Sequence, residues 1–324
     1  MFKKFVVNLS VAGVLAGAVS PVPALAETQK KERPRMDLAF CIDTTSSMQG
    51  EIDMVKTKMK ELVAKLSSGK PTPDIRVGLV AYRDRGDDYV TKVFPFSDDI
   101  DKVVKDISGL QAQGGGDGPE AVNQGLHSVV HDLKWDTDKK TAKLIFLIGD
   151  AGPHFYPNDY DWHKECKEAI SQGIQINTIG CDGLQSYPAG QGVDVFQGIA
   201  KLADGKYETL AYKQEVATAD GHRETVIRSA GAVYKVKSAD KEAWRAGAVA
   251  LAAGGKAERM DSPVAAAAPM ALSGKPMARA AVAGYGAPGS AFMSESRSEN
   301  NLADVLLSGA KDAAKKKIGV EFGR

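Results

Sequence analysis

Met36-Asp37-Leu38-Ala39-Phe40-Cys41-Ile42 runs directly into Asp43-Thr44-Thr45-Ser46-Ser47, and the junction between these two stretches decides how the chain folds. The first stretch is apolar at every position but Asp37, the pattern of a strand buried on both faces of a parallel sheet. The second sets the carboxylate of Asp43 and the hydroxyls of Thr45 and Ser47 at alternate positions on the loop leaving that strand. Oxygen donors alone, gathered at a strand's carboxyl end, suit a hard divalent cation such as Mg²⁺ rather than zinc or copper.

Outward from this junction, residues 36–210 alternate short apolar runs with helical periodicity. Strands are expected at 37–42, 75–82, 91–96, 143–148, 174–179 and 206–210. The polar turn 83–88 makes the second and third a hairpin, with the third an antiparallel edge. Ile52, Met54, Val55, Met59, Leu62, Val63 and Leu66 recur every three to four positions and predict a helix between Gly50 and Gly69. Further helices are expected at 100–110, 119–133, 161–172 and 193–202, with Pro119 placed at a helix start, where its missing amide hydrogen matters least. The fold class is therefore α/β, a doubly wound, mostly parallel six-stranded sheet with helices on both faces.

In such a sheet, ligands collect at the carboxyl ends of the strands where strand order reverses. Two further loops should meet the first one there, Gly114-Gly115-Gly116-Asp117-Gly118-Pro119-Glu120 and Gly149-Asp150-Ala151-Gly152-Pro153-His154. On these motifs the segment 35–211 resembles the von Willebrand factor A domain family with its metal-ion-dependent adhesion site, and looks most like the branch found in bacterial proteins and some alpha-kinases. The resemblance implies that Thr45 and Ser47 give hydroxyl oxygens to Mg²⁺, or to Mn²⁺ or Ca²⁺, while Asp43 and Asp150 act directly or through water. It also implies an open coordination position that an acidic side chain of a protein partner fills. The second loop departs from the family pattern, which most often has a threonine where this chain has Asp117 followed by Gly118. With Asp117 as ligand, the site gains a third carboxylate and pulls less strongly on an acidic partner. With Gly118 at the aligned position, Asp117 only orients a water. The expected ligand set is Asp43, Thr45, Ser47, Asp117 and Asp150. Taken singly, Asp43 and Ser47 also read as caps of the helix that follows.

Other candidates rank lower. His154 is near enough in sequence to Asp150 to reach the site, but an exposed loop histidine is the commoner outcome. His163, Glu165 and Cys166 share one expected helix and, without a second cluster, make no zinc site. The hairpin turn explains Arg85-Gly86-Asp87 without a receptor. The run 114–116 lacks the Lys and Ser or Thr of a phosphate-binding loop. No catalytic set stands out, so the chain reads as a binding protein and not an enzyme. Two alternatives are a scaffold whose ion only stabilises the fold and a metal-dependent hydrolase.

Residues 1–26 read as an export signal, with Lys3 and Lys4 before an apolar run and Ala24-Leu25-Ala26 as the cleavage site, which places the protein in the periplasm or outside the cell. Removing them takes two lysines and no acid from 42 basic and 41 acidic residues, leaving a near-neutral chain with no basic surface for nucleic acid or membrane. Three cysteines are too few for a disulfide scaffold; Cys41 reads as a buried thiol, and a Cys166–Cys181 bridge stays open. Beyond 211 a helical extension is expected at 212–255, with 216–236 ambiguous and a helix at 238–253 started by Ser238. Residues 256–298 are rich in Ala, Gly, Pro, Ser and Met and read as a disordered linker, and 299–324 as a C-terminal amphipathic helix that docks on the main domain or binds a partner.

Overall fold

β1 (Arg35–Asp43) is buried along all but its first residue, and it pairs parallel with β2 (Asp74–Tyr82) on one side and β4 (Ala142–Gly149) on the other. β3 (Thr91–Ser97) runs antiparallel along the free side of β2, while β5 (Ile174–Gly180) and β6 (Tyr207–Thr209) continue the sheet in parallel beyond β4. The order β3-β2-β1-β4-β5-β6 makes strand succession run outward in both directions from the central pair. The crevice for a ligand therefore opens at the carboxyl ends of β1 and β4. The computed structural model describes residues 32–116, 118–217, 223–260 and 299–323.

Alternation along the strands feeds two separate cores. Leu38, Phe40 and Ile42 of β1 and Leu144, Phe146 and Ile148 of β4 pack under α1 (Gln49–Ser67), α2 (Ile100–Ser108) and α7 (Leu302–Ile318). Ala39, Cys41, Ile145 and Leu147 face the opposite way, under α3 (Val122–His131), α4 (Trp162–Ser171) and α5 (Gly192–Leu202). Each covering helix shows the three-to-four spacing of one buried stripe, as in Ile52, Val55, Met59, Leu62 and Leu66 of α1. The expected start of a helix at Pro119 is displaced to Val122. The reason is a competing set of backbone bonds: Glu120 N–H donates to Gly152 O at 2.9 Å, and His154 N–H donates to Glu120 O at 2.8 Å. These bonds hold 119–120 extended against the loop after β4.

Beyond Leu210 the structure corrects the expected helical extension. β7 (Tyr212–Ala217), β8 (Arg223–Ser229), β9 (Ala232–Val236), β10 (Ala257–Arg259) and β11 (Glu299–Asn300) form an antiparallel sheet in the order β10-β9-β8-β7-β11. Among the described residues of 212–255, helix is confined to a 3-10 turn at Ala243–Ala246 and α6 (Ala248–Ala253), separated by Gly247 at φ 82°. Ser238 caps nothing; its hydroxyl accepts from Asp240 N–H within a turn. Trp244 is fully buried with Ala211, Ile227, Ala248 and Leu251 in a third core, the one belonging to this antiparallel sheet.

Residues 257–259, expected in the linker, are strand β10, whereas 261–298 and the expected export signal lie outside the described residues. α7 docks on the main sheet with Leu302, Leu306, Ala310, Ala313 and Ala314 inward. At Gly309 an added Cβ would lie 2.9 Å from the Phe146 ring, so the helix backbone rests directly on β4. Cys41, Cys166 and Cys181 are buried free thiols, which closes the question of a bridge. Among the described residues no helix is long and apolar enough to cross a membrane.

Candidate metal centre

Asp43, the last residue of β1, is wholly buried, and one carboxylate oxygen accepts from Thr45 N–H at 2.8 Å and from the Thr45 hydroxyl at 2.7 Å. Its other oxygen, Oδ2, is buried with no hydrogen-bond partner. The helix-cap reading of Asp43 and Ser47 fails here, because neither the 3-10 turn at Ser46–Met48 nor α1 has a side-chain cap. The loop is held from its flanks. Thr44 N–H and hydroxyl both donate to Tyr82 O, at 2.8 and 2.9 Å, and Ser46 donates to Gly114 O from its hydroxyl at 2.7 Å. Buried Arg83 donates to Thr44 O and Gln111 O, tying the first loop to the second.

Asp150 follows β4 by one residue, and Ser47 hydrogen-bonds to it, which joins the first and third loops. Burial lifts the Asp150 carboxyl to about 6 despite that bond. Asp43 is pushed well above the usual carboxylate range, first by burial and then by the neighbouring Asp150, with the Thr45 bonds opposing.

The structure adds a residue that local reading passed over. Glu120 is 2 % exposed, its Oε2 has no partner, and its carboxyl is pushed up to about 9 by burial and then by Asp43, Asp84, Asp87 and Asp150. In sequence, Pro-Glu looks like the first turn of a helix, where an acid is ordinary. The signal that could have found Glu120 is the glycine run before it: Gly115 sits at φ 76°, and a Cβ there would lie 2.8 Å from both Glu120 Oε1 and Thr45 Cβ. Only glycine allows the second loop so close to the first. Asp117, named from sequence in that loop, lies outside the described residues.

His154 and the Arg85-Gly86-Asp87 turn behave as ordinary loop structure. His154 directs Nδ1 to Asp84 Oδ2 at 3.3 Å and stacks on Tyr156. Arg85 pairs with Asp159 at 3.0 Å, while Asp87 accepts from Asp84 N–H and Gly115 N–H, so the Arg-Gly-Asp charges are spent on the hairpin turn and the two neighbouring loops.

The donor set fits a hard divalent cation. Asp43, Thr45, Ser47 and Asp150 are brought together with Glu120, all offering oxygen, and two buried carboxylate oxygens, Asp43 Oδ2 and Glu120 Oε2, lack partners. Crowded acids that raise one another's proton affinity are what a bound dication relieves.

A family model described as von Willebrand factor type A domain matches residues 37–219. Among curated proteins, an alpha-protein kinase of Dictyostelium discoideum is 30% identical over 37% of this chain and 19% of its own length. A putative ariadne-like RING finger protein of Acanthamoeba polyphaga mimivirus is 28% identical over 39% of this chain and 12% of its own. The chain thus spans under a fifth of the length of either relative. Among solved structures, proximal thread matrix protein 1 from the mussel byssus has 18% identity and TM-score 0.41, covering 55% of this chain and 42% of that one. A conserved hypothetical protein BatB from Bacteroides thetaiotaomicron has 15% identity and TM-score 0.38, covering 54% and 89%. The match over 37–219 covers more than half of the sequence, and the chain belongs to the von Willebrand factor type A domain family.

Proposed function

We propose that this protein is an exported, metal-dependent binding module rather than an enzyme, and that a protein partner docks through a divalent cation at the carboxyl ends of β1 and β4. Domains of this family generally mediate protein–protein interaction and often bind a divalent metal. The observation that carries the reading is the pair of buried, partnerless carboxylate oxygens on Asp43 and Glu120, on two different loops that Gly115 lets come together.

Asp43, Thr45, Ser47 and Asp150 would hold the ion, with Glu120 beside them and Asp117 contributed by the same loop. Mg²⁺, the first choice for such donors, supplies a Lewis-acidic position that an acidic side chain can occupy. Thr45 and Ser47 are neutral donors that add no charge, so the carboxylates, Asp43, Asp150 and Glu120 among them, set the balance. Asp43 Oδ1 is already engaged by Thr45, which fixes its carboxylate plane and leaves Oδ2 as the free donor. Binding instead of turnover is favoured because Arg83, a buried cation nearby, is committed to the carbonyls of Thr44 and Gln111 and to Asp88.

The test is capture from a cell-envelope extract by immobilised wild type and Asp43→Asn, each with Mg²⁺ and with chelator. A companion retained only by wild type in Mg²⁺ is the expected result. Equal recovery in all four arms refutes metal-mediated docking and leaves the ion, if bound, a stabiliser of the fold.

A further inference from the structure

On the opposite flank of the sheet, α3 carries His127 and His131 one helical turn apart, and both rings turn toward a single carboxylate on α4. Glu165 Oε1 lies 3.2 Å from His127 Nδ1, and Oε2 lies 2.9 Å from His131 Nε2. One donor atom from each of the three residues falls within 4.8 Å of the other two. The imidazoles are 4.4 Å apart between ring centres, and His127 is backed by Tyr160, stacked at 3.6 Å and 9°. Glu165 itself is 7 % exposed, and among the described residues its side-chain partners are these two imidazoles.

From this geometry we infer that His127, His131 and Glu165 form a second metal site, for a borderline transition-metal ion of the Zn²⁺ class, bridging α3 and α4. The ligand chemistry separates it from the strand-end centre. Two imidazole nitrogens and one carboxylate oxygen suit Zn²⁺, whereas an all-oxygen set suits Mg²⁺. Position separates the two as well: His127 and His131 lie seven and eleven residues beyond Glu120. From the first residue of α3, Val122, they are five and nine residues on, roughly 8–14 Å along the helix at the helical rise.

The site is built from outside and inside at once. Glu165 is anchored because α4 packs through Cys166 and Ala169 on the same core as Leu126, Val129 and Val130 of α3. His131 is 36 % exposed at its side chain, so the fourth position of a tetrahedral ion opens to solvent. An ion held there pins the amino-terminal turn of α4 to the carboxyl-terminal turns of α3, and water or a partner's donor atom completes its shell. His163 is not part of the site; its ring pairs with Asp161.

The test uses the full untagged chain stripped of metal, with Mg²⁺ kept saturating. Zn²⁺ titration against a competing chromophoric chelator should give one equivalent bound. His131→Gln and Glu165→Gln should each weaken it at least about tenfold, while Mg²⁺ affinity is unchanged. Asp43→Asn should leave Zn²⁺ affinity unchanged. Co²⁺ added to wild type should produce the strong visible absorption of a four-coordinate site. Failure of wild type to bind Zn²⁺, equal binding by the variants, or a six-coordinate Co²⁺ spectrum each overturns the assignment. The cobalt spectrum is read on wild type, so it decides the matter even where a variant folds poorly.

Discussion

Glu51→Gln should make the metal-free protein more stable above neutral pH, an unusual outcome for a buried substitution. Glu51 lies on the inward face of α1, 6 % exposed, where Oε1 accepts from the Tyr212 hydroxyl at 2.9 Å and from Asn300 Nδ2 at 3.4 Å. Burial raises its carboxyl from 4.5 to about 7, with Asp150 and Asp182 adding to the rise and the Tyr212 bond opposing it. The folded state therefore holds the proton more tightly than the unfolded chain. Wild-type stability is full below the unfolded value and falls as pH rises towards the folded one. At about 1.4 kcal/mol for each tenfold in proton affinity, the loss is about 3 kcal/mol once pH exceeds 7. Glutamine keeps the carbonyl oxygen that Tyr212 and Asn300 address and cannot ionise. Allowing about 1 kcal/mol for placing its amide, the variant should gain about 2 kcal/mol at pH 8.5 and lose the advantage at pH 5. Urea denaturation of both proteins in chelator from pH 5 to 8.5 measures this as a difference in midpoint at constant slope. Buried acids that do not touch Glu51 affect both proteins alike and drop out of that difference, while the repulsion from Asp150 and Asp182 is part of what the substitution relieves. Parallel pH curves for the two, or a variant less stable at pH 8.5, would refute the assignment of Glu51 as a strained buried acid.

Asp150→Asn removes one charge from the crowded acids at the strand ends, whose burial already lifts Asp150 to about 6. In chelator above pH 6 it should melt no lower than wild type, and on adding Mg²⁺ wild type should rise by several degrees while the variant stays put; differential scanning calorimetry reads both. Trp244→Ala removes the largest side chain from the core of the antiparallel sheet, where the indole is fully buried. It should cost about 3–5 kcal/mol by urea denaturation. Mg²⁺ binding by the folded fraction should be retained.

The main sheet was legible because its strands are buried on both faces, and Leu38 to Ile42 and Leu144 to Ile148 consequently read as unbroken apolar runs. Asp43, Thr45, Ser47 and Asp150 followed from those strands, since a loop at a strand end has only one place to go. The second sheet was illegible for the converse reason. Lys213, Gln214, Arg228 and Lys235 interleave with its apolar residues, and the run Ala248 to Ala253 argues for helix far beyond its six residues. Glu120 was hidden by a helix start that backbone bonds to Gly152 and His154 displaced. The His127, His131 and Glu165 cluster was missed: Glu165 was read only with His163 and Cys166 on its own helix, although His127 and His131 stand four residues apart on another. Its carboxylate arrives from another helix, and only tertiary packing supplies that.

α7 carries one last implication, for where this protein can be cut. The family match ends at 219, yet Leu302, Leu306 and Ala310 are bedded on Phe146 and its neighbours, and β11 zips the start of that helix to β7. A fragment trimmed to the family boundary would bare an oily flank of its central sheet and invite self-association. Homology marks one border and packing another, and the smallest piece fit for a tube of buffer is the one that keeps residues 299–318.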